Sequence, residues 1–126
     1  MGPTFNSIVI RTDKMDEMRK FYTALGMKFV VEKHGHDLPL HYSATLEDGK
    51  VIEIYPRNKE TDKPTPPNGF GGLHIFDVDS IQNVVNALAN QKVKHIITDP
   101  LMFEGRAYYK IRDPDNQLVM LVERKK

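Results

Sequence analysis

The 126-residue chain contains no cysteine. It can therefore form no disulfide, no thiolate metal centre and no cysteine nucleophile. An excess of one charge is also lacking: 18 Lys and Arg stand against 17 Asp and Glu, for a net charge of +1. That balance gives no electrostatic case for binding nucleic acid or an anionic membrane. Long apolar runs are missing too, and none approaches membrane-spanning length. The start, Met1-Gly2-Pro3-Thr4-Phe5-Asn6-Ser7, has no basic region followed by an apolar stretch. The expectation is a soluble protein that stays in the cytoplasm. What the chain does have is ordinary for a globular protein: 40% apolar and 28% charged residues. Its length fits one compact domain, or two small modules sharing a core.

Phe5 to Thr12 is rich in β-branched residues and reads as a strand. Asp13 can cap a following helix with its carboxylate. Met15, Met18, Phe21, Tyr22 and Leu25 share one helical face, and Gly26 supplies the stop. Met27–Lys33 and His41–Leu46 read as strands. Asp48-Gly49 is then a hairpin signal of the type I′ kind, leading into a strand over Lys50–Tyr55. From Arg57 to Asn68 the composition becomes that of a solvated linker.

After the linker the order repeats. Gly72–Val78 reads as a strand, Ser80 as a cap, and Ile81, Val84, Val85 and Leu88 as one helical face. Val93–Ile97 is a further strand, followed by a loop with Pro100 and Gly105. Arg106–Arg112 and Gln117–Glu123 are strands joined by the turn Asp113-Pro114-Asp115-Asn116. A shift of 66 residues lays Leu73 on Ser7, Asp77 on Arg11 and Leu88 on Tyr22. Sequence identity is negligible under this shift, but element order and apolar spacing agree. The chain is an internal repeat of βαβββ units: 4–57, a linker over 58–69, and 70–126.

Ile8-Val9-Ile10-Arg11-Thr12 with Met18-Arg19-Lys20-Phe21-Tyr22-Thr23-Ala24-Leu25-Gly26-Met27 resembles the opening module of the vicinal-oxygen-chelate superfamily of glyoxalases, bleomycin-resistance proteins and extradiol dioxygenases. Arg112-Asp113-Pro114-Asp115-Asn116-Gln117-Leu118-Val119-Met120-Leu121 resembles its closing hairpin. The resemblance implies an α+β fold. Two tandem βαβββ modules would form an open, curved mixed sheet around a central cavity, with the helices outside. Strand alternation then turns Ser7, Val9 and Arg11 inward, together with Val51, Glu53 and Tyr55. In the second module Leu73, Ile75 and Asp77 turn inward with Leu118, Met120 and Val122.

Metal-dependent members of that superfamily take four ligands, one from the first and one from the last strand of each module. Carried onto this chain, those positions are Ser7, Glu53, Leu73 and Met120. Only Glu53 is a normal ligand for a hard divalent ion. The expectation is therefore no metal and no other cofactor; the alternative is a divalent metal ion. A bulge at Gly71-Gly72 would turn His74 inward, but would still leave only two strong ligands. His34-Gly35-His36 with His41 nearby suggests a metal cluster. The following Asp37-Leu38-Pro39 reads instead as an exposed loop with solvated histidines, and His95 is read the same way.

Arg11 occupies the place where glutathione-dependent glyoxalases hold a substrate-contacting arginine. A guanidinium there suits a carboxylate or phosphate, unless it pairs with Glu53 or Asp77. Glu53 is the best candidate for a general base acting next to a carbonyl. Tyr55, Tyr108, Tyr109 and Phe103 are candidates for stacking on a flat ligand. The reading is a protein that binds a small organic molecule through Ser7, Arg11, Glu53, Tyr55, Leu73 and Met120, without metal. The alternatives are a glyoxalase-type lyase or isomerase, and a non-catalytic interaction module. The resemblance also implies a homodimer.

Overall fold

The computed structural model describes all residues except 36–38, 68, 70, 92–100 and 126. The first half runs β1 (Ser7–Thr12), α1 (Met15–Ala24), β2 (Val30–Glu32), β3 (His41–Thr45) and β4 (Val51–Pro56). The second runs β5 (His74–Val78), α2 (Ile81–Ala89), β6 (Leu101–Phe103), β7 (Arg106–Arg112) and β8 (Leu118–Glu123). The sheets have the orders β1-β4-β3-β2 and β5-β8-β7-β6. In each, the outer pair β1–β4 or β5–β8 is parallel and the other pairs are antiparallel. The sheets do not close into a barrel, and the repeat of βαβββ units is the fold.

Two local expectations are corrected. Lys14, not Asp13, is the N-cap of α1, and it makes no side-chain capping bond. Thr12 Oγ1 instead accepts from the Lys14 backbone N–H at 2.9 Å, and Asp13 is drawn off by the Arg57 guanidinium at 2.9 Å. Leu101–Phe103 is a strand rather than loop, paired with β7. The strand expected over 93–97 lies outside the described residues, as does His95. The second helix begins as expected, with Ser80 Oγ accepting from Asn83 N–H at 3.1 Å.

Helical and strand periods agree on one core. Met18, Phe21 and Tyr22 from α1 pack with Ile52 and Ile54 of β4; Ile81, Val84 and Leu88 from α2 pack with Ile111, Val119 and Leu121. The two helices also touch each other. Both sheets therefore bury the faces that carry the helices in a shared interior, and both leave a helix-free face opposite. Among the described residues, no helix is long and apolar enough to cross a membrane.

The closing turn clamps the modules together. Asp113 Oδ1 accepts from Asp115 N–H and Gln117 N–H, each at 2.9 Å, while Oδ2 accepts from the Tyr22 hydroxyl of α1 at 2.8 Å. Lys14 Nζ reaches Pro114 O at 3.1 Å. Burial raises the Asp113 carboxyl above its ordinary range, against the hydrogen bonds that stabilise its charge.

Candidate functional site

The helix-free face of the first sheet collects the charged residues. In register, Arg11 lies opposite Tyr55, Val9 opposite Glu53, and Ser7 opposite Val51. Ser43 lies opposite Glu53, and His41 opposite Glu32. Because Tyr42 pairs with Ile54, His41 comes to lie beside Tyr55. One row across the sheet thus reads Arg11, Tyr55, His41, Glu32, with Glu53 diagonal to His41. Side chains opposite or diagonal to each other on one face are within contact range.

The β3–β4 turn decides which way His41 points. Leu46 N–H donates to Lys50 O at 2.8 Å and Gly49 N–H to Leu46 O at 2.9 Å. The loop therefore has three residues, Glu47, Asp48 and Gly49, with only Gly49 at positive φ (87°). This is not the type I′ turn expected from Asp48-Gly49, which needs positive φ at both central residues. A two-residue loop would shift the register by one and turn His41 to the helix side.

The contacts are close. His41 is 1% exposed, and its ring stacks on Tyr55 at 4.1 Å between centroids. Its Nε2 lies 3.0 Å from Glu53 Oε2 and 3.3 Å from Glu32 Oε2. His34 Nε2 is 3.2 Å from the same Glu32 oxygen. The Tyr55 hydroxyl donates to Glu53 Oε2 at 3.3 Å. Loss of hydration, then the Glu53 charge, raises the Tyr55 hydroxyl above its ordinary pKa. The reading of His34 and His41 as solvated loop histidines is corrected for His41, which is a buried residue of β3. His34 is exposed as expected but belongs to the same cluster; His36 lies outside the described residues.

Arg11 sits over the Tyr55 ring at 5.3 Å, a cation–π contact. It is exposed and, among the described residues, forms no ion pair with Glu53 or Asp77. The sheet therefore gathers three of the six expected ligand-binding residues, Arg11, Glu53 and Tyr55, and Ser7 lies on the same face. Leu73 (38% exposed) precedes β5, and Met120 lies opposite Ile75 on the second sheet. His74 pairs in register with the fully buried Val119, so no bulge turns it to the helix-free face. Phe103 and Tyr108 meet edge to face at 6.1 Å. Tyr109 is core, at 3% exposure, and cannot stack on a ligand.

A separate cleft of about 920 Å³ lies between the β3–β4 turn and β5. Phe5, Ile8, Leu46, Ile75 and Asp77 are among its lining residues. At its rim Arg124 joins the modules, 3.3 Å from Glu47 and 2.7 Å from Asp79. None of Ser7, Arg11, Glu53, Tyr55, Leu73 and Met120 lines it.

The residues at the superfamily's four metal positions do not fit a metal. Leu73 has no donor atom, Met120 offers a soft thioether and Ser7 only a weak hydroxyl, which leaves Glu53 as the single suitable ligand of the four.

Paired βαβββ modules, each a mixed four-stranded sheet with one helix packed against it, define a class of α+β proteins. The family model described as the glyoxalase/bleomycin resistance protein/dioxygenase superfamily matches residues 4–121, and the chain belongs to that superfamily. Solved structures agree in fold. A hypothetical protein from S. aureus superposes with a TM-score of 0.72 at 13% identity, covering 98% of this chain and 95% of that one. A glyoxylase/bleomycin resistance protein/dioxygenase domain from Frankia sp. gives 0.70 at 16%, covering 99% and 100%. A protein described as oxidase ChaP-H2 gives 0.71 at 10%, covering 99% and 96%. No curated protein matches the sequence.

Proposed function

We propose that this protein binds a small amphipathic organic acid on its helix-free side, without a metal ion at the superfamily's four positions. The observation that carries this reading is Arg11: an exposed guanidinium stacked on Tyr55 and free of Glu53 and Asp77. A carboxylate can take two parallel hydrogen bonds from such a group. The apolar body of the ligand would cover Val9 (48% exposed), and Ile75 (55% exposed) adds apolar surface on the helix-free side of the second module. A metal-dependent lyase or isomerase using Glu53 as base has less support, since Glu53 alone of the four positions is a suitable ligand. A homodimer belongs to the same reading. The edge strands β2 and β6 expose Val30, Val31, Leu101, Met102 and Phe103, and such edges invite pairing with another chain.

The test is thermal unfolding with benzoate, 2-naphthoate and phenyl phosphate, each against the matching neutral amide or alcohol. Saturable stabilisation by the anions, lost in Arg11→Ala and partly kept in Arg11→Lys, is expected. Equal stabilisation of Arg11→Ala, or none by any of the three anions, refutes the reading.

A further inference from the structure

Glu32 and Glu53 bring carboxylate oxygens to the same nitrogen, His41 Nε2, from strands on either side of β3. Two anionic groups converging in a half-buried place repel each other unless a cation lies between them. His41 is 1% exposed, yet among the described residues neither of its ring nitrogens has a hydrogen-bond partner. The nearby oxygens lie off the line that an N–H would take. A buried, unpartnered polar group is costly and calls for an ion or other partner.

The spacing suits a metal. Four ligand atoms, one each from Glu32, His34, His41 and Glu53, lie within 4.8 Å of one another. The closest approaches are 3.0, 3.2 and 3.3 Å. Zinc bonded at about 2.0–2.1 Å in a tetrahedron has ligand–ligand edges of roughly 3.3–3.4 Å. Three of the six approaches are therefore already near the length of a filled site, and the other three lie within 4.8 Å. The surroundings hold the donors in place. Tyr55 stacks on the His41 ring and hydrogen-bonds Glu53 Oε2, as outer partners of metal ligands do.

We propose that Glu32, His34, His41 and Glu53 form a binding site for one divalent transition-metal ion, best matched by zinc. Two imidazoles and two carboxylates suit a borderline ion, and two nitrogen donors disfavour calcium or magnesium. The site shares only Glu53 with the superfamily's four positions, and all its ligands come from one module. It is independent of the organic acid assigned to Arg11, and each can fail without the other.

The experiment uses full-length protein without a histidine tag, stripped with chelator and titrated calorimetrically with zinc chloride. A parallel cobalt titration is followed by visible absorption. One zinc per chain and the intense bands of four-coordinate cobalt are expected. His34→Ala and Glu32→Gln, at exposed or half-exposed side chains where folding is not at risk, should each weaken zinc by about 10-fold or more. His74→Ala should leave the affinity unchanged. Absence of saturable binding overturns the proposal. So does zinc affinity that resists both His34→Ala and Glu32→Gln, and sensitivity to His74→Ala in their place would put the ion on the second module.

Discussion

Tyr22→Phe isolates one buried bond that ties the two modules together. Tyr22 is 1% exposed, and its ring packs edge-on to Phe21 at 4.9 Å and Phe76 at 6.2 Å, contacts that phenylalanine keeps. What disappears is the hydroxyl's 2.8 Å bond to Asp113 Oδ2. Asp113 is 5% exposed, and its other oxygen already serves two backbone N–H groups. The bared Oδ2 cannot recruit either of them without breaking the turn. A hydrogen bond to a charged partner contributes about 1.5–3 kcal/mol, and an unsatisfied buried acceptor costs on the same scale. The variant should therefore lose about 2–3 kcal/mol in urea unfolding, with an unchanged m-value. From the average unfolding entropy per residue, the midpoint should fall by roughly 8–11 °C. Asp113→Asn should cost less, since its amide still offers an oxygen to the turn and a donor to the Tyr22 oxygen. The double variant should show coupling of more than about 0.5 kcal/mol. A loss below about 0.5 kcal/mol for Tyr22→Phe, at constant m, would show that the clamp adds nothing beyond ring packing.

Alkaline pH should unfold the protein through the same residue. Burial first, then the Asp113 charge, holds the Tyr22 hydroxyl well above its ordinary 10.0. The neutral form is thus favoured by folding, so its stabilisation is complete below about pH 10 and lost as pH rises through the folded value. Unfolding followed by circular dichroism and tyrosinate absorbance should coincide above that pH, and Tyr22→Phe should weaken the alkaline loss; an unaltered profile counts against it. Gly69→Ala should cost roughly 2–5 kcal/mol by strain and overpacking, because its Cβ would stand 2.6 Å from Gln117 Cα at φ +74°. Gly49→Ala, at φ +87° with nothing within 4 Å, should cost only about 1–2 kcal/mol, and equal losses in urea unfolding would contradict this account. Sedimentation should show a dimer that Val31→Lys or Met102→Lys converts to monomer; a wild-type monomer at all accessible concentrations removes the homodimer.

The repeat was legible because it is written in periodicity. Met18, Phe21 and Tyr22, then Ile81, Val84 and Leu88, recur at helical spacing, and all six are buried. The faces of β1 and β4 were equally plain, since alternation along a parallel pair needs no turn to set its phase. The face of β3 was hidden by a single residue. Whether Glu47 belongs to the strand or the loop decides if His41 meets Glu53 or the helix side, and Asp48-Gly49 is compatible with either loop. A bent segment carrying His34, with Glu32 on a strand of only three residues, leaves no pattern long enough to phase. The Leu101–Phe103 edge strand was missed for the same reason: three apolar residues beside Pro100 have no period. The Asp113 turn was recognised as a turn, but its Tyr22 partner is 91 positions away, a distance over which no local signal reaches.

The superfamily's metal positions draw on both modules, so such a site exists only while the modules keep a fixed relation. Here two of the four positions hold Leu73 and Met120, and the inter-module ties sit elsewhere: Tyr22 on Asp113 at one end, and Arg124 with Glu47 at the other. Three of the proposed donors are on β2, β3 and β4, whose relation is fixed by backbone ladders within one sheet, and His34 follows two residues after β2. A cluster built there does not depend on how the second module sits. It follows that zinc, held as proposed, should slow hydrogen exchange by local opening in β2–β4 but not around the Tyr22–Asp113 clamp, while amides that exchange only by global unfolding gain protection throughout. Equal slowing of local-opening exchange in β5 and β8 would instead mean that the ion bridges the modules, and the single-module site would be wrong.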